Sequence, residues 1–314
     1  MCGTKARGQV MTGIKSVPIL SYHALSEARS EGFYRWTLSA QRLAGHLDYL
    51  AREGYRTLTI SALAKYFARG GPRPGERLIA LTFDDAYADF HTVALPLLAR
   101  YQMTATLFVP TGYVGAKSLW MSEEGEGERR IASWAALREI AEAGLEIGAH
   151  SHTHAELDLV SSQELTGQLS WPKAELEQRL GRPVQSMAYP YGRYNRRVRV
   201  AVAQAGYLAA CTMNSWAATR SSNLLELPRI PVFQHTDAAD LAQRLFVSRS
   251  AARREMLRAQ RAAHSAVGSA AQAASVLLSN RMLHSQVQAN PSLAYRALTN
   301  RGSAERDGRP EVTG

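Results

Sequence analysis

Cysteine is scarce in this sequence, with only Cys2 and Cys211 among 314 residues. Two thiols so far apart along the chain indicate neither a disulfide framework nor a cysteine-ligated zinc site. Any metal would therefore have to be held by histidine and carboxylate side chains. Long apolar runs are also missing, so no segment has the length of a transmembrane helix. Residues 1–15 are polar and lack the apolar core of a secretory signal, and we expect a cytoplasmic protein.

Lysine is absent from residues 248–314, although this segment is basic. It holds ten arginines against four acidic residues, a surplus of six out of the chain's formal net charge of +10. Its composition, rich in alanine, arginine, serine and glutamine, predicts a helical or disordered extension. No nucleic-acid-binding motif is present, so we expect no specific nucleic-acid partner. An acidic partner is the alternative to a solvated extension.

Short apolar runs alternate with segments of helical spacing from residue 17 to residue 247. The runs typical of strands are 17–23, 55–60, 77–83, 104–109, 145–150, 184–189, 207–213 and 227–233. The segments between them predict helices over 39–52, 61–69, 90–100, 133–143, 161–180, 194–205 and 237–246. This alternation predicts a mainly parallel sheet, and about seven such units favour a (β/α) barrel over an open sheet. Functional residues are then expected at the carboxyl ends of the strands.

Two adjacent carboxylates, Asp84 and Asp85, follow the buried run 77–83. Side-by-side carboxylates repel, and each costs roughly several kcal/mol when buried without a partner. A divalent cation is the simplest way to offset that cost. The alternative is that both residues cap the following helix, because aspartate is a favoured N-cap residue.

Three histidines, His150, His152 and His154, lie at the end of another predicted strand. One turn of backbone places His150 and His154 on one side, with His152 directed elsewhere. Together with Asp85 they form a two-histidine, one-carboxylate set, which leaves ligand positions open and is typical of a catalytic metal site. A single histidine would more often be a core residue, but a cluster of this kind favours ligation.

A third motif follows the strand 184–189. By itself, Tyr189-Pro190-Tyr191-Gly192 is typical of an aromatic turn. Taken together, the motifs 82–85, 150–154 and 189–192 resemble, in their order and spacing, the motifs of the polysaccharide deacetylase family (NodB homology, carbohydrate esterase family 4). The segments 18–23 and 227–232 resemble the branch that acts on exopolysaccharide and peptidoglycan-type sugars.

The resemblance covers residues 17–247 and leaves a tail, 1–16, and the extension, 248–314, outside the domain. It implies a distorted (β/α) barrel of about seven parallel strands. It also implies a metal-dependent hydrolase that removes N-acetyl groups from amino-sugar poly- or oligosaccharides by attack of metal-activated water. The implied metal is Zn²⁺, with Co²⁺, Ni²⁺ and Mn²⁺ as alternatives.

The resemblance also assigns roles to individual residues. Asp84 corresponds to the general base, and Asp85, His150 and His154 correspond to the metal ligands. The backbone N–H at Tyr191 corresponds to the donor that holds the oxyanion. Asp84 would take the proton of the attacking water, and acetate and a free amino sugar would leave.

Two departures from the family pattern concern the aspartate pair. Ala188 stands where many members have an arginine that braces the catalytic aspartate, and Arg229 is the candidate replacement from a neighbouring strand. Ala86 stands where a glycine usually follows the aspartate pair, a mild change if the φ angle of Ala86 is negative.

The acid that protonates the leaving amine is not fixed by the motifs. His235 is the candidate by position, and His23, at the end of the first strand, is the other. The candidate substrate-binding residues are Tyr189, Pro190, Arg229 and His23. The aromatic rings of Tyr189, Tyr191 and Trp134 favour a sugar, since flat apolar faces stack on pyranose rings.

Two other functions remain open from the sequence. One is a hydrolase of the same fold that acts on a small amide or an O-acetyl ester. The other is a catalytically weak sugar-binding protein, against which the presence of both aspartates and both histidines argues.

Overall fold

A curled sheet of parallel strands forms the centre of the chain, as seen in a computed structural model that describes residues 16–26 and 30–248. The predicted tail and nearly all of the predicted basic extension lie outside the described residues. The strands are β1 Ser16–Val17, β2 Ile19–Tyr22, β3 Arg56–Leu58, β4 Leu78–Phe83, β5 Thr106–Val109, β6 Glu146–Ala149, β7 Ser186–Ala188, β8 Ala209–Cys211, β9 Ala218–Thr219 and β10 Ile230–Pro231. The helices are α1 Glu31–Tyr34, α2 Ala40–Arg52, α3 Ile60–Ala68, α4 Leu95–Arg100, α5 Trp134–Glu142, α6 Ser162–Leu180, α7 Arg196–Gln204 and α8 at 238–248.

Seven of the strands pair in the order β10-β2-β4-β5-β6-β7-β8, and all of these pairings are parallel. Strand β3 pairs with the amino-terminal half of β4. A bridge between Cys211 and Leu227 joins β8 to the segment that leads into β10, so the sheet curls back on itself. This half-barrel confirms the predicted fold. The sequence did not predict β9, which pairs antiparallel with β1.

Serine caps explain why three predicted helices begin where they do. Ser39, Ser133 and Ser161 each accept a hydrogen bond from the backbone N–H three residues on, which satisfies a donor that the first turn leaves unpaired. Gly181, with a φ of 64°, ends α6 in the left-handed conformation that glycine adopts most readily.

The predicted helix 90–100 is interrupted. It consists of a π-helical turn over Phe90–Ala94 followed by the short helix α4. Pro96 has no N–H to give to an i→i−4 bond, so the first part of this segment cannot continue as a regular α-helix.

Four strands end directly before residues that the sequence marks as functional. His23 follows β2, Asp84 follows β4, His150 follows β6 and Tyr189 follows β7. All six residues of β4 are buried, so this strand leads its two aspartates out of an apolar interior. Parallel pairing places the carboxyl ends of these strands at one edge of the sheet.

Among the described residues, no helix combines the length and the apolar character that a membrane span requires. The cytoplasmic location stays a prediction.

Candidate active site

The three predicted metal ligands come together at the carboxyl edge of the sheet. Asp85 Oδ1 lies 3.4 Å from His150 Nε2 and 3.2 Å from His154 Nε2, and all three side chains are buried. Two ligand atoms on a tetrahedral zinc ion, each about 2.0–2.1 Å from the metal, are about 3.3 Å apart. The observed separations therefore match a metal site.

The chemistry of these atoms also fits a cation. His150 Nδ1 donates a hydrogen bond to the backbone carbonyl of Ala188, at 2.8 Å, which leaves Nε2 as the ring's lone-pair atom. That lone pair faces Asp85 Oδ1, a second acceptor that has no hydrogen-bond partner in the described residues. Two buried acceptors facing each other are unfavourable unless a metal ion or a proton lies between them.

Asp84 lies next to this group and is braced by Arg229. The guanidinium of Arg229 donates two bonds to the carboxylate, Nη1 to Oδ1 at 2.6 Å and Nη2 to Oδ2 at 2.8 Å. Burial by itself raises the pKa of Asp84, but the charges of Arg229, His150 and His23 lower it below its usual value. Asp84 is therefore held as a carboxylate, and neither aspartate caps the following helix.

Arg229 does not have the substrate-binding position that we expected. Its side chain is fully buried, and its other donors bond to the Thr82 hydroxyl at 3.1 Å and the Thr212 carbonyl at 3.0 Å. With its donors used inside the protein, Arg229 acts on Asp84 rather than on a ligand.

His23 faces Asp84 from the neighbouring strand. Its Nε2 lies 3.8 Å from Asp84 Oδ2, and its ring packs against Trp36 with the centroids 4.7 Å apart. Burial lowers the pKa of His23, while the charges of Asp84 and Asp85 oppose that shift. The structure thus brings one of the two candidate acids to the aspartate pair.

The structure places the other candidate acid, His235, elsewhere. Its exposed ring stacks on Phe233 with the centroids 6.1 Å apart, and its backbone carbonyl accepts a bond from Arg42. His235 is not among the residues that line the cavity next to Asp84.

A cavity of about 350 Å³ opens above the two aspartates and the two metal-site histidines. The side of the cavity near β2 carries His23, Arg35 and Trp36, and the other side carries Tyr191 and Met213. Trp36 was not predicted. The signal that could have found it is an aromatic and basic cluster, residues 34–36, shortly after the first strand.

The third motif, 189–192, lies beside the cavity with two of its side chains buried. Tyr189 is buried, its hydroxyl donates to the Leu225 carbonyl at 2.9 Å, and its ring stacks on Tyr194 at 4.7 Å. Its ring face is therefore covered by protein and is not open to a sugar. Pro190 is also buried, whereas Tyr191 is 48% exposed and lines the cavity.

Trp134 is not part of the cavity lining. The guanidinium of Arg179 lies over its ring, 5.2 Å from the ring centroid. Tyr189 and Phe33 do line the cavity, but both side chains are buried, so Tyr191 and Trp36 are the more accessible aromatic side chains there.

Backbone strain is concentrated at this site. The non-glycine residues with positive φ are Asp85 (70°), Ala86 (51°), Gln102 (52°), Ser151 (59°), His154 (56°) and Tyr191 (57°) in the described part of the chain. All but Gln102 belong to the three motifs or adjoin them. Such conformations cost roughly 1–3 kcal/mol each and persist where the surrounding structure holds them for function. Ala86 thus adopts the conformation that favours glycine, contrary to the mild case considered from the sequence.

A family model described as polysaccharide deacetylase matches residues 71–210, which include all three motifs. Over these residues the chain is similar to the polysaccharide deacetylase family. Among curated proteins, the chain is 28% identical over 216 residues to YxkH of Bacillus subtilis (strain 168), covering 69% of this chain and 71% of YxkH.

Two further relatives carry more specific names. A poly-β-1,6-N-acetyl-D-glucosamine N-deacetylase of Staphylococcus aureus (strain MRSA252) is 25% identical over 240 residues, covering 69% of this chain and 80% of the relative. The solved structure of the Streptococcus pyogenes deacetylase PplD in complex with acetate is 26% identical, with a TM-score of 0.63, over 73% of this chain and 98% of PplD. These similarities agree with the half-barrel fold and point to a hydrolase.

Proposed function

We propose that this protein is a metal-dependent N-deacetylase of acetylated amino-sugar polymers or oligomers. The observation that carries the proposal is the buried meeting of Asp85 Oδ1 with His150 Nε2 and His154 Nε2, at 3.4 and 3.2 Å, beside a second carboxylate held by Arg229. These three residues would hold Zn²⁺, with Co²⁺, Ni²⁺ and Mn²⁺ as alternatives. The bound metal would polarise the acetyl carbonyl and lower the pKa of water.

Two side chains would then carry out the proton transfers, and a backbone N–H would stabilise the oxyanion. Asp84, kept ionised by Arg229, accepts a proton from the attacking water. The backbone N–H of Tyr191 donates to the developing oxyanion. His23 donates a proton to the leaving nitrogen as the carbon–nitrogen bond breaks, and acetate and a free amine are released.

An N-acetylglucosamine polymer is the substrate class we propose. One named relative acts on poly-β-1,6-N-acetyl-D-glucosamine. The cavity, about 350 Å³, is at the lower end of the usual range for small-ligand pockets, so it suits one reacting sugar with the rest of the chain outside. The rings of Trp36 and Tyr191 line the cavity and can pack against a pyranose ring.

Acetate release from a panel of N-acetylated oligosaccharides tests this function, with and without a chelator. We expect turnover of β-linked N-acetylglucosamine oligomers. The chelator should lower the rate of acetate release at least tenfold, because a bound metal strongly lowers the pKa of water. Adding Zn²⁺ should restore the rate. Turnover of small amides or O-acetyl esters alone would favour the first alternative. Binding of the oligomers without any acetate release would favour a sugar-binding protein.

Replacement of His23 should separate acid catalysis from attack on the carbonyl. We expect His23→Asn to slow acetamide hydrolysis by about 10²-fold, because the amine must be protonated as it leaves. Hydrolysis of 4-nitrophenyl acetate should fall much less, since its leaving group needs no proton. The matched control is His235→Asn, which should leave both rates near the wild-type values. Equal losses on the two substrates would contradict the assignment of His23.

A further inference from the structure

The two metal-site histidines are oriented by different means. His150 is fixed through its second ring nitrogen, since Nδ1 donates to the Ala188 carbonyl at 2.8 Å. The corresponding Nδ1 of His154 is buried and has no hydrogen-bond partner in the described residues. Metal-ligating histidines almost always donate this second N–H, which sets the plane of the ring. The ring of His154 must therefore be oriented by packing.

Three aromatic rings surround His154. The indole of Trp120 lies nearly parallel to the imidazole, with the centroids 5.0 Å apart and an interplanar angle of 24°. Tyr191 and His150 meet the ring edge-on, at 4.6 Å and 4.8 Å. Rotation about the last side-chain torsion of a histidine is weakly restricted by itself. A flat neighbour on the ring face is the contact that opposes this rotation.

Trp120 is itself supported on its other sides. Tyr87 stacks nearly parallel to it, with the centroids 6.4 Å apart and an angle of 24°, and Tyr113 packs against it at 4.7 Å. Tyr87 is only two residues from Asp85 and is bridged to Ile131. The indole is therefore held between one side of the aspartate motif and the face of His154.

The segment that carries Trp120 is anchored by short helices and side-chain contacts. It contains 3-10 helices over Thr111–Tyr113 and Leu119–Met121, the second of which includes Trp120. Next to Trp120, the Ser118 hydroxyl donates to the Glu126 carbonyl at 2.6 Å. The buried side chains of Glu126 and Arg129 form an ion pair, with Oε2 and Nε 2.6 Å apart. These contacts fix the backbone on either side of Trp120.

We propose that Trp120 is a positioning residue that holds the imidazole plane of His154 and thereby sets the affinity of the Asp85, His150 and His154 site for a divalent cation. This inference rests on the metal site of the proposed function. Residues that orient metal ligands typically change metal affinity by about 10–100-fold when they are replaced.

The test is the affinity of the full chain for Zn²⁺ alone, measured by competition with a colorimetric chelator. We expect Trp120→Ala and Trp120→Leu to bind Zn²⁺ about 10–100-fold more weakly than wild type. Trp120→Phe, which keeps a flat ring, should restore most of the affinity. Trp120→Leu keeps apolar bulk and covers the case in which the alanine variant does not fold.

The matched control is Trp134→Ala. Trp134 is also half-buried and packs against the same core, but its ring contacts Arg179 rather than a residue of the proposed metal site. Its loss should leave Zn²⁺ affinity unchanged. Co²⁺ gives a second readout, because its visible absorption reports ligand geometry and should change in Trp120→Leu but not in Trp134→Ala.

The outcomes separate this inference from the proposed function. Wild-type protein that binds Zn²⁺, together with Trp120→Leu of equal affinity, would overturn the role of Trp120 and leave the metal site in place. An equal loss in Trp134→Ala would also overturn it, since the effect would then be general. Wild-type protein that binds no divalent cation would overturn both.

Discussion

Asp84→Asn should lower the rate of acetate release by about 10⁴-fold, while Zn²⁺ affinity stays close to that of wild type. The asparagine amide has the shape of the carboxylate but cannot accept a proton from water. The predicted metal ligand is Asp85, whose Oδ1 faces His150 and His154 at 3.4 and 3.2 Å. Replacement of Asp84 should leave this ligand in place. Acetate release and chelator competition on the same preparation measure the two effects.

A neighbouring carboxylate provides the control for this variant. Asp89 accepts bonds from the Leu25 N–H at 3.0 Å and the Ser26 hydroxyl at 2.7 Å, and it is not among the residues lining the cavity. Asp89→Asn should therefore retain most of the activity. A retained rate in Asp84→Asn would refute the assignment of Asp84 as the base, and a lost Zn²⁺ affinity would assign Asp84 to the metal instead.

Arg229→Met should lower the free energy of unfolding by about 3–5 kcal/mol. The change leaves the buried carboxylate of Asp84 without the two charge-assisted bonds that it now accepts at 2.6 and 2.8 Å. Breaking a buried pair costs far more than breaking an exposed one, since the remaining charge cannot return to water. Chemical denaturation of the wild type and the variant measures the difference.

The control for this prediction is an exposed ion pair. Arg52 and Asp48 form an i,i+4 pair on α2, 2.9 Å apart, with side chains 71% and 47% exposed. Arg52→Met should cost less than about 1 kcal/mol. If the two arginine variants lost equal stability, the brace between Arg229 and Asp84 would be no stronger than a surface contact.

A double variant isolates the charge in this pair. Adding Asp84→Asn to Arg229→Met removes the unpaired carboxylate, so the double variant should be more stable than Arg229→Met alone. Both proteins should be inactive, and the comparison therefore concerns stability only. A double variant that is less stable than Arg229→Met would show that the cost comes from lost packing rather than from the buried charge.

The residues of the proposed metal site could be predicted because each motif is short and ends a strand. Asp85 follows β4, and His150 follows β6, so the parallel sheet brings them to one edge without any knowledge of side-chain packing. The alternation of apolar and helical segments was sufficient for the sheet itself, although it did not reveal β9, a strand of two residues.

The partners of those residues could not be predicted with the same certainty. Arg229 was a candidate brace for Asp84, but the pair is 145 residues apart in sequence. Only the strand order β10-β2-β4 brings the guanidinium to the carboxylate. The choice between His23 and His235 likewise depended on which ring reaches the cavity. Burial of the Tyr189 ring and the positive φ of Ala86 are also results of packing that no local pattern encodes.

The sequence by itself determined which chemical groups this protein carries and which strand ends present them, because those features depend on neighbouring residues. The tertiary structure alone decided which side chains support those groups. Trp120 and Trp36 come from segments without periodicity, and their positions beside His154 and His23 follow from long-range contacts that the chain makes only when it is folded.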